Sequence, residues 1–452
     1  MPGAFGMSGI LCKFAGVKSL KESTWWIYVL AAVAMLPALL LRDVTPDNEL
    51  RYFSIADEAL RNGSVWCFAN HGEIYADKPP MYLWLVMASR WLFGQNCAWF
   101  LGLFSLVPML LVGRVMNGMA KPWLDLPRRQ AALLMLFTCG FFPGLALTLR
   151  MDMLLTLFIV LALREAFRMA QGRPSRRHEA MLGLFAFLAL FVKGPYGVLI
   201  PLLGSAAYLL SVGRFKLMRR IWGWPAWAVL IGGCAVWFGG VYAEGGTDYL
   251  DNLLFHQTVD RARNAFTHDW PWWYYCVCVW YVMAPWSVFI LWETIAKRHT
   301  ALRGDFRKLT ATVFAVTFVM LSCVSSKLQV YLLPAIPFGV YFGASLMSGK
   351  GLLKAVRIIA FLILGLLFCA SWALPQLNKY IGYGEVCGEV AALGPDAVYV
   401  DSEVRRGENI DAYFTCPVTI VDSRAEEFAL PAGTALILEG DDGRKLKYEY
   451  RK

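Results

Sequence analysis

The stretch YADKPPMYLWL (residues 75–85) places an acid and a base, Asp77 and Lys78, ahead of two prolines and a run of large apolar side chains. Ionisable groups border other apolar runs in the same way. Asp47 and Arg51 lie in TPDNELRY, Arg150 and Asp152 in TLRMDMLLTLF, and Lys193 in FVKGPYGVLIPLL. His256, Arg261, Arg263 and His268 lie in FHQTVDRARNAFTHDWPWWYY, and Lys327 and Tyr331 in SSKLQVYLLPAIP. A charge at membrane depth costs several kcal/mol, so it marks a function or a buried pair. Each group alone has a bland explanation. Arg150 and Lys193 could snorkel to the interface, Asp152 could pair with Arg150, Asp47 could cap a loop helix, and His256 or His268 could be an ordinary loop histidine. Together, carboxylates, cations and histidines on one face suit an anion plus a metal or a developing charge. Group transfer from a lipid phosphate fits. Lys and Arg give a phosphate charge-assisted hydrogen bonds, and a carboxylate stabilises an oxocarbenium centre or activates an acceptor. Prolines after Lys78 would hold its ammonium at headgroup level, beside the interfacial aromatics Tyr82 and Trp84.

The elements that must position these groups are apolar helices. Of 452 residues, 58% are hydrophobic and only 17% charged, with mean hydropathy +0.49; a soluble domain carries about a quarter charged residues. Spans are predicted at 25–41, 97–115, 131–149, 152–170, 180–193, 195–212, 222–242, 272–296, 309–325, 329–347 and 357–375, eleven helices in all. Five connectors are basic: MAKPWLDLPRRQ, QGRPSRRHE, GRFKLMRR, KRHTALRGDFRK and SGKGLLKAVR. All five fall on the side of the N-terminus if 80–94 does not span, so that segment reads as a short interfacial or re-entrant helix. The net charge of +10 then follows from basic cytoplasmic loops and does not point to nucleic acid. The N-terminus carries Lys13, Lys18 and Lys21 and no convincing cleavage site, which predicts an uncleaved first helix.

The opposite face receives loops 42–96 and 243–271 and the tail from 376 to 452. Alternation in AVYVDSEV and PVTIVDS predicts strands, hence a small extracytoplasmic α/β domain after a transmembrane domain of residues 1–375. Cys67, Cys387 and Cys416 are the cysteines in aqueous segments, and a Cys387–Cys416 disulfide is one possibility.

At these residues the chain resembles the membrane glycosyltransferases of the GT-C type. It is most similar to the family of the lipid A 4-amino-4-deoxy-L-arabinose transferase and the bacterial protein mannosyltransferase-like enzymes. The landmarks PDNELRY, DKPPMYLWL, LRMDMLLTLF, VKGPYGVLIPLL, RNAFTHDWPWWYY and SSKLQVYLLPAIP occur in family order over residues 25–350. The resemblance implies a polytopic α-helical fold with juxtamembrane helices, in the bacterial inner membrane with a periplasmic active site. It implies an undecaprenyl-phosphate sugar donor and an envelope acceptor, lipid A first and a protein hydroxyl or envelope glycan second. Asp47 and Asp152 match the family's two loop aspartates, and Lys78 matches its donor-phosphate lysine. Lys327 and Tyr331 match the late motif near the lipid phosphate. Arg51, Arg150, Lys193 and Arg261 complete the expected phosphate-binding set. The family places Glu before Lys-Pro-Pro; here Asp77 stands there, with His256 or His268 as the expected loop histidine, a candidate set for a divalent metal ion.

A transporter or lipid flippase is the rival class. It predicts charges near the midplane on broken helices within inverted repeats, whereas no repeat is visible and the charges cluster at one face.

Overall fold

The computed structural model describes residues 23–172, 174–254, 270–425, 428–440 and 445–452. The chain begins with α1 (Trp25–Leu41), a π-helical turn over Pro46–Leu50, α2 (Arg51–Asn62), a two-stranded hairpin β1 (Ala69–Asn70) and β2 (Glu73–Ile74), and α3 (Met81–Phe93). Next come α4 (Ala98–Ala120), α5 (Leu126–Phe137), α6 (Phe141–Ala146), α7 (Asp152–Ala170), α8 (Arg176–Lys193), α9 (Tyr196–Ser211) and α10 (Trp224–Asp251). The remaining apolar helices are α11 (Tyr274–Val282), α12 (Trp286–Ala296), α13 (Asp305–Ser322), α14 (Ile336–Leu346), preceded by a 3-10 turn over Gln329–Ala335, and α15 (Lys350–Ser371).

Each predicted span contains helix, though not all are continuous. Four helical segments are long and apolar enough to cross a bilayer on their own: Ala98–Ala120, Trp224–Leu254, Gln329–Leu346 and Lys350–Ser371. The two bent pairs, Trp25–Leu41 with Pro46–Asn62 and Tyr274–Val282 with Trp286–Ala296, bring the number to six. α1 shows how such a helix meets lipid. Ile27, Ala31, Met35 and Ala38 are buried, while Val29, Val33, Leu36 and Leu40 form an exposed apolar stripe on the other side. Being apolar on both faces fits a surface that meets hydrocarbon rather than water.

Three sequence expectations need correction. The spans predicted as continuous at 131–149 and 272–296 are each broken, the second by a bend of 109°. The breaks meet: the Gly140 N–H donates to the Ala284 carbonyl at 2.7 Å. This pairs backbone groups that the breaks free, as non-helical backbone inside a membrane requires. A Cβ at Gly140 would stand 2.9 Å from the Tyr281 carbonyl oxygen, so only glycine allows the approach. The outer loop expected from 243 is instead helical to Asp251, with a kink at Gly246 (φ 67). Cys387 and Cys416 are both free thiols. The segment 80–94 is the 13-residue helix α3, too short to cross a bilayer, with Trp91 and Leu92 exposed at its end.

The C-terminal region packs α16 (Leu374–Ile381) and α17 (Gly384–Ala392) with a four-stranded sheet of order β4-β3-β5-β6. β3 (Val398–Asp401) lies parallel to both β4 (Val418–Val421) and β5 (Thr434–Glu439), and β6 (Leu446–Arg451) is antiparallel to β5. This unit is seated on the end of α1. The Gly384 N–H donates to Asp43 at 2.8 Å, and Asn378 bridges the Asp43 N–H and the Leu41 carbonyl.

Candidate active site

One end of the helix bundle collects the C-terminus of α1, the N-termini of α4 and α7, and the C-terminus of α8. Asp152 opens α7, where the positive end of the helix dipole favours a carboxylate. Arg150 sits in the turn before it and donates from Nε to Oδ2 at 3.0 Å. Lys193, the last residue of α8, donates from Nζ to the other oxygen, Oδ1. Asp152 is 2% exposed. Burying such charges is tolerable only with this kind of pairing. The trio carries two cations and one carboxylate, a net charge of +1. The Lys193 ammonium also lies 4.7 Å from the Tyr331 ring centroid, and Tyr331 packs on Tyr196 at 5.4 Å. Lys327 is buried nearby in sequence to Tyr331, and its Nζ donates to the Trp270 carbonyl at 2.8 Å.

The turn Pro46–Leu50 is built around Glu49, 2% exposed. Arg42 donates to its two carboxylate oxygens at 2.7 and 2.9 Å, and the Thr45 N–H and hydroxyl bind Oε2. The Leu149 N–H reaches Oε1 at 2.6 Å. Glu49 thus ties the first loop to the turn that carries Arg150. Asp47, two residues earlier, faces outward. Its carboxylate receives Arg405 Nε at 3.0 Å and Nη2 at 2.6 Å. The side chains of Asp47 and Arg405 are 41% and 73% exposed. Arg405 is presented from the turn after β3, where the Tyr383 hydroxyl donates to the Arg405 carbonyl and Arg406 takes a left-handed backbone (φ 57).

Asp77 and Lys78 follow the hairpin. Its tight turn uses positive φ at His71 and Gly72, the primed geometry that matches strand twist, and Glu58 accepts both their N–H groups at 2.7 and 3.0 Å. Glu244 of α10 accepts the N–H groups of Val65, Trp66 and Cys67. The Tyr249 hydroxyl donates to the Tyr75 carbonyl at 2.8 Å. The approach to Lys78 is therefore fixed from α2 and from α10. Burial, with the Glu244 charge adding to it, pushes the Cys67 thiol up to about 12, so it stays protonated at neutral pH.

The two halves converge on α2. Tyr52, buried, lies within electrostatic reach of Arg51, Asp77, Arg150 and Asp152. Its ring packs edge-on against Tyr82 at 5.5 Å. Arg51 stands 5.5 Å over the Tyr75 ring, and its Nε is buried with no hydrogen-bond partner among the described residues. The Tyr82 hydroxyl is in the same condition. Of the residues expected from sequence, Arg51, Asp77, Arg150 and Asp152 all act electrostatically on Tyr52, Lys193 pairs with Asp152, and Tyr331 lies against Lys193. Asp47 lies on the adjoining turn. His256, Arg261 and His268 fall outside the described residues. Among the described residues no three His, Cys, Asp or Glu side chains gather closely enough to hold a metal.

Sequence reasoning missed Glu49, Arg42 and Arg405. Glu49 was visible as an acid inside the PDNELRY landmark; Arg405 carried no signal, being 358 residues from Asp47.

No protein-family model matches the chain. The chain is 25% identical over 358 residues to the undecaprenyl phosphate-α-4-amino-4-deoxy-L-arabinose arabinosyl transferase 2 of Pseudomonas fluorescens, covering 75% of this chain and 60% of the relative. It thus spans about 60% of that relative's length. The crystal structure of ArnT from Cupriavidus metallidurans bound to undecaprenyl phosphate superposes with a TM-score of 0.75 at 17% identity, over 93% of this chain and 94% of that one. The chain has the GT-C fold. The more distant Archaeoglobus fulgidus oligosaccharyltransferase, tethered to an acceptor peptide, aligns with a TM-score of 0.50 at 11% identity over 88% of this chain and 64% of that one.

Proposed function

We propose that this GT-C protein transfers a sugar from a polyprenyl-phosphate donor to an acceptor of the cell envelope, with lipid A phosphate as the first acceptor. One observation carries the reading: the buried Asp152 carboxylate is shared by Arg150 and Lys193, which leaves a net positive charge at one end of an apolar bundle, and Glu49 ties the turn that carries Asp47 to the turn that carries Arg150. A partly desolvated positive site at a membrane face is a site for a lipid phosphate. The relatives named as arabinosyl transferases for an undecaprenyl-phosphate sugar support it, as does the ArnT fold in complex with undecaprenyl phosphate.

In the reaction, the bond between the anomeric carbon and the donor phosphate oxygen breaks, and a bond from that carbon to the acceptor oxygen forms. Polyprenyl phosphate leaves with the electron pair. Lys78, Arg51 and the Arg150–Lys193 pair stabilise the charge that grows on it. Asp47 faces the anomeric centre and stabilises its positive character; with a hydroxyl acceptor it also takes the proton. An ionised phosphate acceptor needs no such removal. Asp152 holds Arg150 and Lys193 in place.

The charged end is then periplasmic and the membrane is the bacterial inner membrane. A divalent cation held by Asp77 with His256 and His268 is a separate part of the proposal; loss of transfer on chelation, restored by added metal, supports it, and unchanged transfer removes it. Mass spectrometry of lipid A from a strain lacking the protein tests the acceptor. Loss of a sugar on lipid A phosphate supports lipid A; intact lipid A with an altered glycoprotein or envelope glycan moves the assignment to those acceptors.

A further inference from the structure

The opposite end of the bundle holds a cavity of about 930 Å³ between α1, α4, the α4–α5 turn and α7. It is far from the chemistry: Asp152 and Arg168 are 16 residues apart on α7, about 24 Å along the axis. Its wall combines two chemistries. Arg114, Lys121 and Arg129 line it with Arg164 and Arg168, and among the described residues no carboxylate does. Apolar side chains, Leu111, Leu157 and Leu161 among them, and Tyr28 also line it.

The cations differ in how they are met. Arg164 and Arg168 share Glu165, at 2.5 and 3.4 Å. Among the described residues, Arg129 reaches only the Asn117 side-chain oxygen, at a long 3.4 Å, and its Nε is buried without a partner. The Tyr28 hydroxyl is buried in the same wall, beside Asn117. A buried donor left unpaired costs stability, and the Arg129 Nε borders this space. The transfer reaction uses none of these groups.

We infer that this cavity is a second, non-catalytic site for a phosphate-bearing amphiphile, whose headgroup meets Arg114, Lys121 and Arg129 while its chain lies along the leucines. Phosphate mono- and diesters match because they present several acceptor oxygens to forked Arg donors and to an ammonium. A basic pocket between helices at a membrane edge is the setting in which such headgroups bind. A lipid headgroup and a free phosphate share this chemistry, and the apolar wall favours the lipid. The inference stands whether or not the chain is a transferase.

The full chain is placed in phosphatidylcholine nanodiscs with added phosphatidylglycerol, and native mass spectrometry counts lipid retained on release. Two variants attack the site differently. The double substitution Arg114→Gln with Lys121→Gln removes two charges, neither of which has a partner among the described residues. Gly118→Phe fills the cavity without changing charge, since a Cβ there meets nothing within 4 Å. Wild type is expected to retain a single phosphatidylglycerol, and each variant to retain it about tenfold more weakly. In a second arm, pyrophosphate is added to phosphatidylcholine-only discs. Thermal protection of wild type and not of the variants would assign the same anion site to a soluble phosphate. Thermal unfolding without ligand reports which variants are folded, and either one suffices. Equal retention by wild type and a folded variant, with no pyrophosphate effect, overturns the inference.

Discussion

At the scale of single residues, the site separates a carboxylate that is locked from one that is exposed. Asp152 is enclosed by Arg150 and Lys193, whereas Asp47 is partly exposed and held by Arg405 from another part of the chain. An exposed pair of this kind contributes at most about 1 kcal/mol, so it can open when substrate arrives. Asp47→Asn is expected to lower transfer roughly a hundred- to ten-thousandfold with donor binding retained, because a charge acting in the transition state changes rate rather than affinity. Arg405→Ala should leave stability within about 1 kcal/mol of wild type while shifting KM for the acceptor. Parallel turnover, donor-binding and unfolding measurements on both variants check this. Near-normal turnover by Asp47→Asn would reduce the carboxylate to a docking contact for Arg405. Asp47 was legible because it follows the first apolar run inside a landmark. Its partner was not, since nothing in SEVRRGEN shows which distant loop it meets.

At the scale of elements, the ends of α7 and α8 make one unit through Asp152. Asp152→Asn leaves the partly exposed Arg150 and the largely buried Lys193 sharing a neutral amide, and breaking such a pair costs up to about 3–5 kcal/mol. Its signature is a lowered unfolding midpoint together with weakened donor binding, unlike Asp47→Asn; an unchanged midpoint would show that the trio is not a structural tie. Sequence placed Arg150, Asp152 and Lys193 on one face because charges at helix ends are costly there. It could not place Glu49 as the tie between the loop and α7, since that depends on how the turn at Pro46–Leu50 folds back. The C-terminal sheet has its own charged anchor, Asp401. Burial alone would raise its pKa, but the Ser423 hydroxyl and the N–H groups of Glu403 and Ser423 outweigh this and hold it below the ordinary 3.8. A lowered acid stabilises the fold fully above 3.8, and that contribution is lost as pH falls through the lowered value. The gap in unfolding midpoint between wild type and Asp401→Asn should therefore be open at pH 6 and narrow by pH 3. A gap independent of pH would contradict it.

At the scale of the molecule, long uncharged runs made the helical architecture legible, since little but a bilayer explains them. The breaks at Gly140 and near Ala284 were not legible, because each is compensated only by the other across the bundle. The seating of the C-terminal sheet on Asp43 was hidden for the same reason. The charge asymmetry of the loops predicts orientation. Reporter fusions after Arg129, Arg177 and Lys308 should read cytoplasmic, and one after Gly407 periplasmic; a cytoplasmic signal from the Gly407 fusion would reverse the assignment of the charged end. The central claim is chemical, and one measurement meets it directly. Purified protein in nanodiscs is incubated with a polyprenyl-phosphate-linked sugar and lipid A, and donor, acceptor and both products are counted by mass spectrometry. The account predicts glycosylated lipid A and free polyprenyl phosphate in equal amounts, both abolished by Asp47→Asn. Intact donor carried from one leaflet to the other, with no new glycosidic bond to lipid A or to any other envelope acceptor, would contradict it.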